Sequence, residues 1–203
     1  MEPRVRPDMG VAAAALDYDA ELMLRVKHGD SACFGLLLEK HRASLIHFLY
    51  RLVQEQAVAE ELAQEVFLRV YRSRSSYEPT AKFTTWLFRI ATHLALNWLR
   101  DAKHERTQES LDEGSPDLPA RQVLDRRPSV EQELVYEVKL KQVRRAVAAL
   151  PANQRAAVLM HKYEEMEYVQ IAKVLDCSES AVKSLLFRAY STLRARLAHL
   201  RDI

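Results

Sequence analysis

The segment at residues 150–193 constrains the fold of this chain most, because its pattern predicts helices joined by a very short turn. Ile171, Ala172 and Leu175 recur at helical spacing before the turn Asp176-Cys177-Ser178. Ser178 is a good N-cap for the next helix, because its hydroxyl can accept from a free backbone N–H. This arrangement is typical of a helix-turn-helix, whose second helix enters the major groove of DNA.

The second helix of this segment is predicted to have two different faces. Val182, Leu186, Ala189 and Leu193 fall on one apolar stripe at about 100° per residue. The opposite face carries small donors, cations and one aromatic side chain, and is the candidate DNA surface: Ser180, Lys183, Ser184, Phe187 and Arg188. An ordinary amphipathic helix of a bundle, with solvated cations, is the alternative interpretation.

Composition supports a helical protein throughout. Only 4 of the 203 residues are glycine, 48% are hydrophobic, and alanine, leucine, arginine, glutamate and glutamine are abundant. We therefore expect a nearly all-α fold with a buried core. The net charge of +2 is close to balanced, so any affinity for DNA must come from local basic patches.

The chain is predicted to divide into two helical blocks. Residues 1–18 read as a disordered tail, 19–103 as the first block, 104–130 as a flexible linker rich in proline and charge, and 131–203 as the second block. Within the first block, helical spacing and caps predict helices over 20–27, 31–53, 58–72 and 84–103.

The third helix of the first block has a mixed surface besides its apolar stripe. A face on which apolar residues alternate with charges favours binding to another protein. The candidate residues are Glu61, Gln64, Glu65, Leu68, Arg69 and Arg72. A helix that is packed on two sides would show nearly the same periodicity.

The fourth helix combines aromatic, cationic and amide side chains on one side. Such a face is suited to stacking on unpaired bases while phosphates are neutralised. The candidates are Lys82 and Phe83 in the preceding loop, and Trp86, Arg89, His93, Asn97 and Arg100 on the helix. Trp86 can also be read as a core residue.

These motifs occur in the order and at the separation found in one family. The stretch AEELAQEVFLRVYRSRSSYEPTAKFTTWLFRIATHLALNWLRD at 59–101, followed by YVQIAKVLDCSESAVKSLLFRAY at 168–190, resembles the extracytoplasmic-function group of bacterial RNA polymerase sigma factors. The resemblance implies an all-α protein with two small domains, a sigma-2-like helical bundle and a sigma-4-like helix-turn-helix, joined by a flexible linker. It also implies a promoter-specificity factor that starts transcription of a stress or envelope-response regulon.

The resemblance assigns a partner to each surface. The third helix would bind the clamp of core RNA polymerase, and the fourth helix and its preceding loop would open the single-stranded −10 promoter element, where family members capture a flipped base. Phe83 and Asn97 match positions that contact that strand. Residues 179–190 would read the duplex −35 element. An anti-sigma factor is a further implied partner.

The sequence departs from the family at several positions. Leu185 stands where many members have an arginine that faces DNA, and His93 stands where asparagine is common. Gln170 replaces a frequent glutamate, and Glu165-Met166-Glu167 lacks the glycine often found in that turn. These changes bear on promoter sequence rather than on family membership.

Other chemistry is not indicated by any motif. There is no phosphate-binding loop, no HExxH and no glycine-rich dinucleotide turn. His41 and His47 are six residues apart and fall on different sides of a helix, so we expect no metal, no cofactor and no enzyme activity. Cys33 and Cys177 are far apart and suggest reduced thiols. The apolar run 11–16 is too short for a membrane span, so we expect a cytoplasmic protein without membrane insertion.

Two other functional classes remain open on the sequence. A conventional helix-turn-helix regulator would bind duplex operators as a dimer, with Gln64, Leu68 and Tyr71 at the dimer contact. A helical interaction module that does not bind DNA is disfavoured by the basic face around Lys183 and Arg188. Binding to polymerase distinguishes these classes from a sigma factor.

Overall fold

The computed structural model describes residues 17–109 and 130–201, and within these ranges all the regular secondary structure is helical. This confirms the all-α fold class. Short 3-10 turns at Arg74–Ser76 and Ala198–Arg201 accompany the α-helices. The α-helices are α1 (Tyr18–Lys27), α2 (Ser31–Val53), α3 (Gln56–Arg72), α4 (Phe83–Glu109), α5 (Val130–Ala148), α6 (Ala152–Tyr163), α7 (Tyr168–Leu175) and α8 (Glu179–Arg196).

Side-chain caps explain where the first helices begin. The carboxylate of Asp17 accepts from the backbone N–H of Ala20, and that of Asp30 accepts from Cys33 at the start of α2. Such caps satisfy backbone donors that have no partner inside the helix. Because Asp17 caps α1, the helix includes Tyr18, which the sequence had assigned to the tail. Residues 1–16 of that predicted tail lie outside the described residues.

The predicted linker is shorter at both ends than the sequence suggested. Helix α4 continues through 104–109 to Glu109, and α5 already begins at Val130. The remainder of the predicted linker, residues 110–129, lies outside the described residues.

Helices α1 to α4 surround the first part of the core, and α2 contacts α1, α3 and α4. The centre of this part of the core is made of large side chains that are fully buried, among them Phe48, Phe83, Phe88 and Leu49. The rings of Phe48 and Phe88 meet edge to face, with centroids 5.0 Å apart. Burial of this apolar surface provides the main driving force for folding.

Helices α6, α7 and α8 form the helix-turn-helix unit, and each of them contacts the other two. Asp176 ends α7 in the left-handed conformation, with φ of 52°, and Ser178 then caps α8 by accepting from Ala181 at 3.2 Å. Aspartate adopts left-handed φ more readily than most residues. The turn predicted at 176–178 is therefore present.

The two helical blocks pack against each other in one continuous core, which the sequence did not predict. Helix α4 contacts α7, and α2 contacts α6. Nη1 of Arg155 on α6 donates to the backbone carbonyl of Leu52 at 2.6 Å, and the guanidinium of Arg51 lies 4.1 Å from the ring centre of Tyr163. Apolar burial, a hydrogen bond and a cation–π contact thus hold the blocks together.

Candidate nucleic-acid and polymerase interfaces

Helix α8 presents a face of exposed polar and basic side chains. Val182, Leu186 and Ala189 are buried, as the apolar stripe predicted. The residues predicted to contact the −35 element all lie on the exposed side: Ser180, Lys183, Ser184, Phe187 and Arg188. The ring of Phe187 is 76% exposed, which is unusual for so large an apolar side chain and is typical of a contact surface.

Helices α6 and α7 both pack against α8. The backbone N–H of Glu167 donates to the side-chain oxygen of Gln170 at 2.8 Å, so Gln170 supports the start of α7 although a glutamate is frequent there. His161 on α6 and the hydroxyl of Tyr190 on α8 are hydrogen-bonded at 2.9 Å. This bond joins α6 to α8.

Leu185 lies between the two faces of α8. Its side chain is half-buried and packs against the core, and it borders a small cleft together with Asn153, Leu175 and Cys177. An apolar side chain is therefore accommodated where the family often has an arginine. The exposed cations Lys183 and Arg188 lie two residues before and three residues after it, and Arg188 borders the same cleft.

Helix α4 carries a second exposed face. Lys82, Arg89, His93, Asn97 and Arg100 are exposed, while Trp86 is half-buried beside them. The four helical residues are spaced three or four apart, so they form a row along one side of α4. These predicted residues are thus exposed, and their contact with single-stranded DNA stays a prediction.

Phe83 departs from the sequence-based expectation. Its side chain is 0% exposed, and its ring lies between those of His41, at 5.5 Å, and Trp86, at 5.9 Å. A ring in this position belongs to the core and cannot stack on a base. The sequence placed Phe83 in a loop, and only the contacts from α2 reveal that it is buried.

An open cleft of about 670 Å³ lies beside the row on α4. The rings of Tyr77 and Trp86 meet at 4.9 Å on one side of it, and burial raises the pKa of Tyr77 to about 12, so its hydroxyl stays protonated. That hydroxyl has no hydrogen-bond partner within 17–109 and 130–201. The cleft is lined by Arg69, Arg72, Ser73, Ser76, Tyr77, Glu78, Thr80, Trp86 and Ile90.

Arg69 and Arg72 thus lie at the cleft, whereas the sequence assigned them to the polymerase surface. Arg69 also forms an ion pair with Glu65, with 2.7 Å between Nε and Oε1. Two guanidinium groups beside aromatic rings provide cations for phosphates and flat surfaces for bases. The C-terminal turn of α3 therefore lines the cleft and also carries two of the residues predicted to bind polymerase.

The outer side of α3 is a mixed apolar and charged surface. Glu61, Gln64 and Leu68 are exposed, Leu68 to 49%, and Glu65 is half-buried. The structure adds one residue of α2 that sequence analysis missed, Phe34, whose ring lies 5.0 Å from that of Tyr71.

The part of the chain that the structure describes shows neither a metal cluster nor a membrane span. Groups of histidine, cysteine, aspartate or glutamate that could hold a metal ion do not occur there. None of the helices described combines the length and apolar character needed to cross a membrane.

Comparisons with known proteins identify the family of this chain. Sigma-70 region 2 matches residues 37–105, and Sigma-70, region 4, matches residues 140–193. The chain is 30% identical over 171 residues to the ECF RNA polymerase sigma factor SigX of Bacillus subtilis, which covers 83% of this chain and 86% of SigX. It is 29% identical to the RNA polymerase sigma-H factor of Pseudomonas aeruginosa, over 85% of this chain and 90% of that protein.

A solved structure shows the same fold. The sigma factor RpoE of Bartonella quintana, in a co-crystal structure with the anti-sigma factor NepR, aligns with a TM-score of 0.63 and 24% identity over 81% of this chain and 96% of that chain. The exposed faces on α4 and α8 therefore lie in the two conserved regions of a family that directs RNA polymerase to promoters. The chain belongs to the extracytoplasmic-function (ECF) group of RNA polymerase sigma factors.

Proposed function

We propose that three exposed surfaces of this sigma factor perform three successive steps of promoter recognition. The outer side of α3 binds core RNA polymerase, α8 reads the duplex −35 element, and the row on α4 with its adjacent cleft holds the melted −10 strand. The observation that carries this proposal is the pair of cationic faces on α4 and α8, each exposed and each in a different conserved region.

The cleft beside α4 is suited to a base that has left the DNA stack. Tyr77 and Trp86 offer aromatic surface, and Arg69 and Arg72 offer positive charge for the neighbouring phosphates. Arg89, His93, Asn97 and Arg100 continue this surface along α4, so a single strand can follow the helix. Phe83 acts indirectly, by supporting Trp86 from the core.

Helix α8 is suited to a major groove. Lys183 and Arg188 can donate to base edges or phosphates, Ser180 and Ser184 can donate at short range, and Phe187 can contact a thymine methyl group. With one arginine position occupied by the half-buried Leu185, the proposed DNA face of the helix has two cations, Lys183 and Arg188. Its grip on DNA therefore depends on polymerase holding both domains on one promoter.

Further properties follow from family membership as proposals. We expect an anti-sigma factor as an inhibitory partner, since the RpoE structure of the same fold contains one. The protein acts in the cytoplasm on a stress or envelope-response regulon, and it performs no catalytic step itself because polymerase carries out the chemistry. It requires no cofactor or metal ion.

Reconstitution with core RNA polymerase tests the proposal directly. The purified protein and core enzyme together are expected to select promoters from a random library, with permanganate-reactive thymines in the −10 element. Tight binding of the protein alone to duplex DNA as a dimer, with no effect on polymerase, would instead establish a conventional helix-turn-helix regulator.

A pair of variants separates the surfaces. Asn97→Ala is expected to reduce opening while binding to core polymerase persists, because Asn97 lies on the exposed row of α4. Leu68→Glu is expected to reduce assembly first, because it places a charge in the apolar part of the α3 surface. Val138→Glu is the matched control for Leu68→Glu, since Val138 on α5 is exposed to 48%. Equal loss of polymerase binding in all three variants would contradict the assignment.

A further inference from the structure

Helix α1 lies outside the matched conserved regions and contacts the loop that forms the cleft. The region 2 match begins at residue 37, whereas α1 spans Tyr18–Lys27. Yet α1 contacts both α4 and the 3-10 turn Arg74–Ser76. The loop 73–82, with Tyr77 at its centre, connects α3 to α4 and lines the cleft together with Trp86.

One end of this loop is tied to the start of α1 by a single carboxylate. Oδ1 of Asp17 accepts from the N–H of Ala20 at 2.6 Å, and Oδ2 accepts from the N–H of Phe83 at 3.2 Å. Phe83 is the first residue of α4, so its N–H has no partner within the helix. The same side chain therefore caps α1 and joins it to the N-terminus of α4.

The middle of the loop is tied to the other end of α1. Nζ of Lys27 donates to the backbone carbonyl of Tyr77 at 2.8 Å. Tyr77 is buried, and its ring contacts those of Phe83 and Trp86. Because Tyr77 forms a wall of the cleft, moving its backbone would change the shape of the space available to a base.

A buried polar pair holds α1 itself in place. Nε2 of His41 and Oδ2 of Asp19 are 3.0 Å apart, and Nζ of Lys40 lies 2.6 Å from Oδ1 of the same carboxylate. Asp19 and His41 are both buried. Helix α1 is thereby fixed to α2, and its contacts with the loop start from a rigid support.

We infer that α1 positions the loop 73–82, which lines the proposed −10 cleft. Asp17 and Lys27 are the positioning residues that set the shape of this base-binding cleft. This inference rests on the proposed function, because it concerns the same cleft. The residues act through the backbone at Phe83 and Tyr77 and do not themselves contact DNA. Losing either contact lets the loop shift, so the cleft loses its fit to a captured base.

The test measures what one base contributes to binding. Holoenzyme reconstituted from core polymerase and the full chain is titrated with fluorescent single-stranded oligonucleotides of the non-template −10 sequence, each carrying an abasic site at one position. Removing the captured base is expected to lower the affinity of wild-type holoenzyme for the oligonucleotide about tenfold, since stacking of one base contributes about that much. We call this ratio of affinities the abasic penalty. For Lys27→Met and Asp17→Ala the abasic penalty is expected to be less than about threefold, because the cleft of these variants already holds the base poorly.

Matched variants separate positioning from a general loss of structure. Arg25→Met alters the same helix but breaks only an exposed ion pair with Asp30, and Asp30→Ala removes a comparable cap from α2. Both are expected to keep the wild-type abasic penalty. Lys27→Arg, which retains a donor, is expected to restore it. Core polymerase binding of Lys27→Met is expected to match that of the wild type, and its melting temperature is expected to stay well above the temperature of the titration, although the carbonyl of Tyr77 loses a donor.

Two outcomes overturn the inference. The first is a wild-type abasic penalty in both Lys27→Met and Asp17→Ala. The second is a loss of affinity that is equal for every oligonucleotide, whichever base is missing, and that Arg25→Met and Asp30→Ala show as well. Such a result would indicate a structural role alone. If wild-type holoenzyme binds the oligonucleotide no better than core polymerase does, the proposed function itself fails, and the inference fails with it.

Discussion

The guanidinium of Arg155 on α6 caps the end of α2 by donating from Nη1 to the backbone carbonyl of Leu52 at 2.6 Å. Its Nη2 also donates to the carbonyl of Leu150, at 3.1 Å. The last carbonyls of a helix have no partner within it, and here Arg155 serves one of them across the boundary between the two conserved regions. Burial lowers the pKa of Arg155 from its ordinary value.

Arg155→Met is expected to weaken the packing between the two regions. The change keeps an unbranched apolar stem in place of the first part of the arginine side chain but leaves the carbonyl of the buried Leu52 without this donor, at a cost of about 1–3 kcal/mol. Chemical denaturation measures the loss of stability, and small-angle scattering measures any increase in the radius of gyration. Lys162→Met, on the exposed side of the same helix, is the control. Unchanged stability and size would show that the contact does not hold the regions together.

Glu165→Gly is expected to stabilise the protein. Glu165 has φ of 51°, a left-handed conformation that costs an L-residue about 1–2 kcal/mol, whereas glycine adds about 0.5–1 kcal/mol of unfolded-state entropy. The expected net gain is therefore about 0.5–1 kcal/mol, measured by thermal or denaturant unfolding. Asp176→Gly, at φ of 52°, is expected to gain less, since aspartate tolerates this region. Destabilisation by Glu165→Gly would mean that its side chain makes a contact worth more than the strain.

His41→Gln is expected to reduce the decrease in folding stability between pH 7 and pH 5. Burial lowers the pKa of His41 below its ordinary value, and the carboxylates of Asp19 and Asp17 oppose this while Lys40 reinforces it. The folded state thus binds fewer protons than the unfolded state between the two pKa values. This contribution to stability is present above about pH 6.5 and is lost as pH falls from there through the lowered pKa of the folded state. Melting temperatures between pH 7 and pH 5 measure the effect.

Glutamine retains a donor for Asp19 but does not titrate, which makes it the suitable replacement for His41. His47→Gln, an exposed position on the same helix, controls for the loss of a histidine as such. If wild type and His41→Gln lose stability in parallel, His41 does not contribute to the acid sensitivity.

Lys183→Ala and Arg188→Ala are expected to weaken engagement of the −35 element. Each substitution costs about 1–3 kcal/mol of binding free energy if it removes a contact to a base. If it removes a contact to a phosphate, binding to all sequences weakens alike, and the slope of log affinity against log salt concentration falls by about one. Holoenzyme binding to promoter duplexes across a salt series distinguishes these cases. Arg144→Ala on α5 is the control for the loss of one exposed positive charge. Wild-type affinity in both α8 variants would exclude this face from recognition.

Local sequence patterns were sufficient for the helices and their exposed faces. The stripe of Val182, Leu186 and Ala189 follows from helical periodicity alone, and the cap at Ser178 follows from the chemistry of its hydroxyl. The resemblance based on ordered motifs also identified the family, which the matches to both conserved regions confirm.

Residues near element boundaries were harder to assign. Phe83 looked like an exposed loop aromatic, because nothing next to it in sequence shows that α2 covers it. At Leu185 the resemblance implied only that an arginine which faces DNA in many members is missing, and the structure shows that the leucine side chain is half-buried against the core. Both outcomes depend on neighbours that are distant along the chain.

By itself, then, the sequence determined the helices, their amphipathic faces and the family, because these depend on side-chain chemistry repeated at short spacing. Tertiary structure decided that Phe83 is buried, that Asp17 and Lys27 join α1 to Phe83 and to the loop 73–82, and that Arg155 caps α2 across the two regions. The three hydrogen bonds involved join residues 50, 66 and 103 positions apart. A periodic pattern carries no information at such separations, where packing of the whole chain selects the partners.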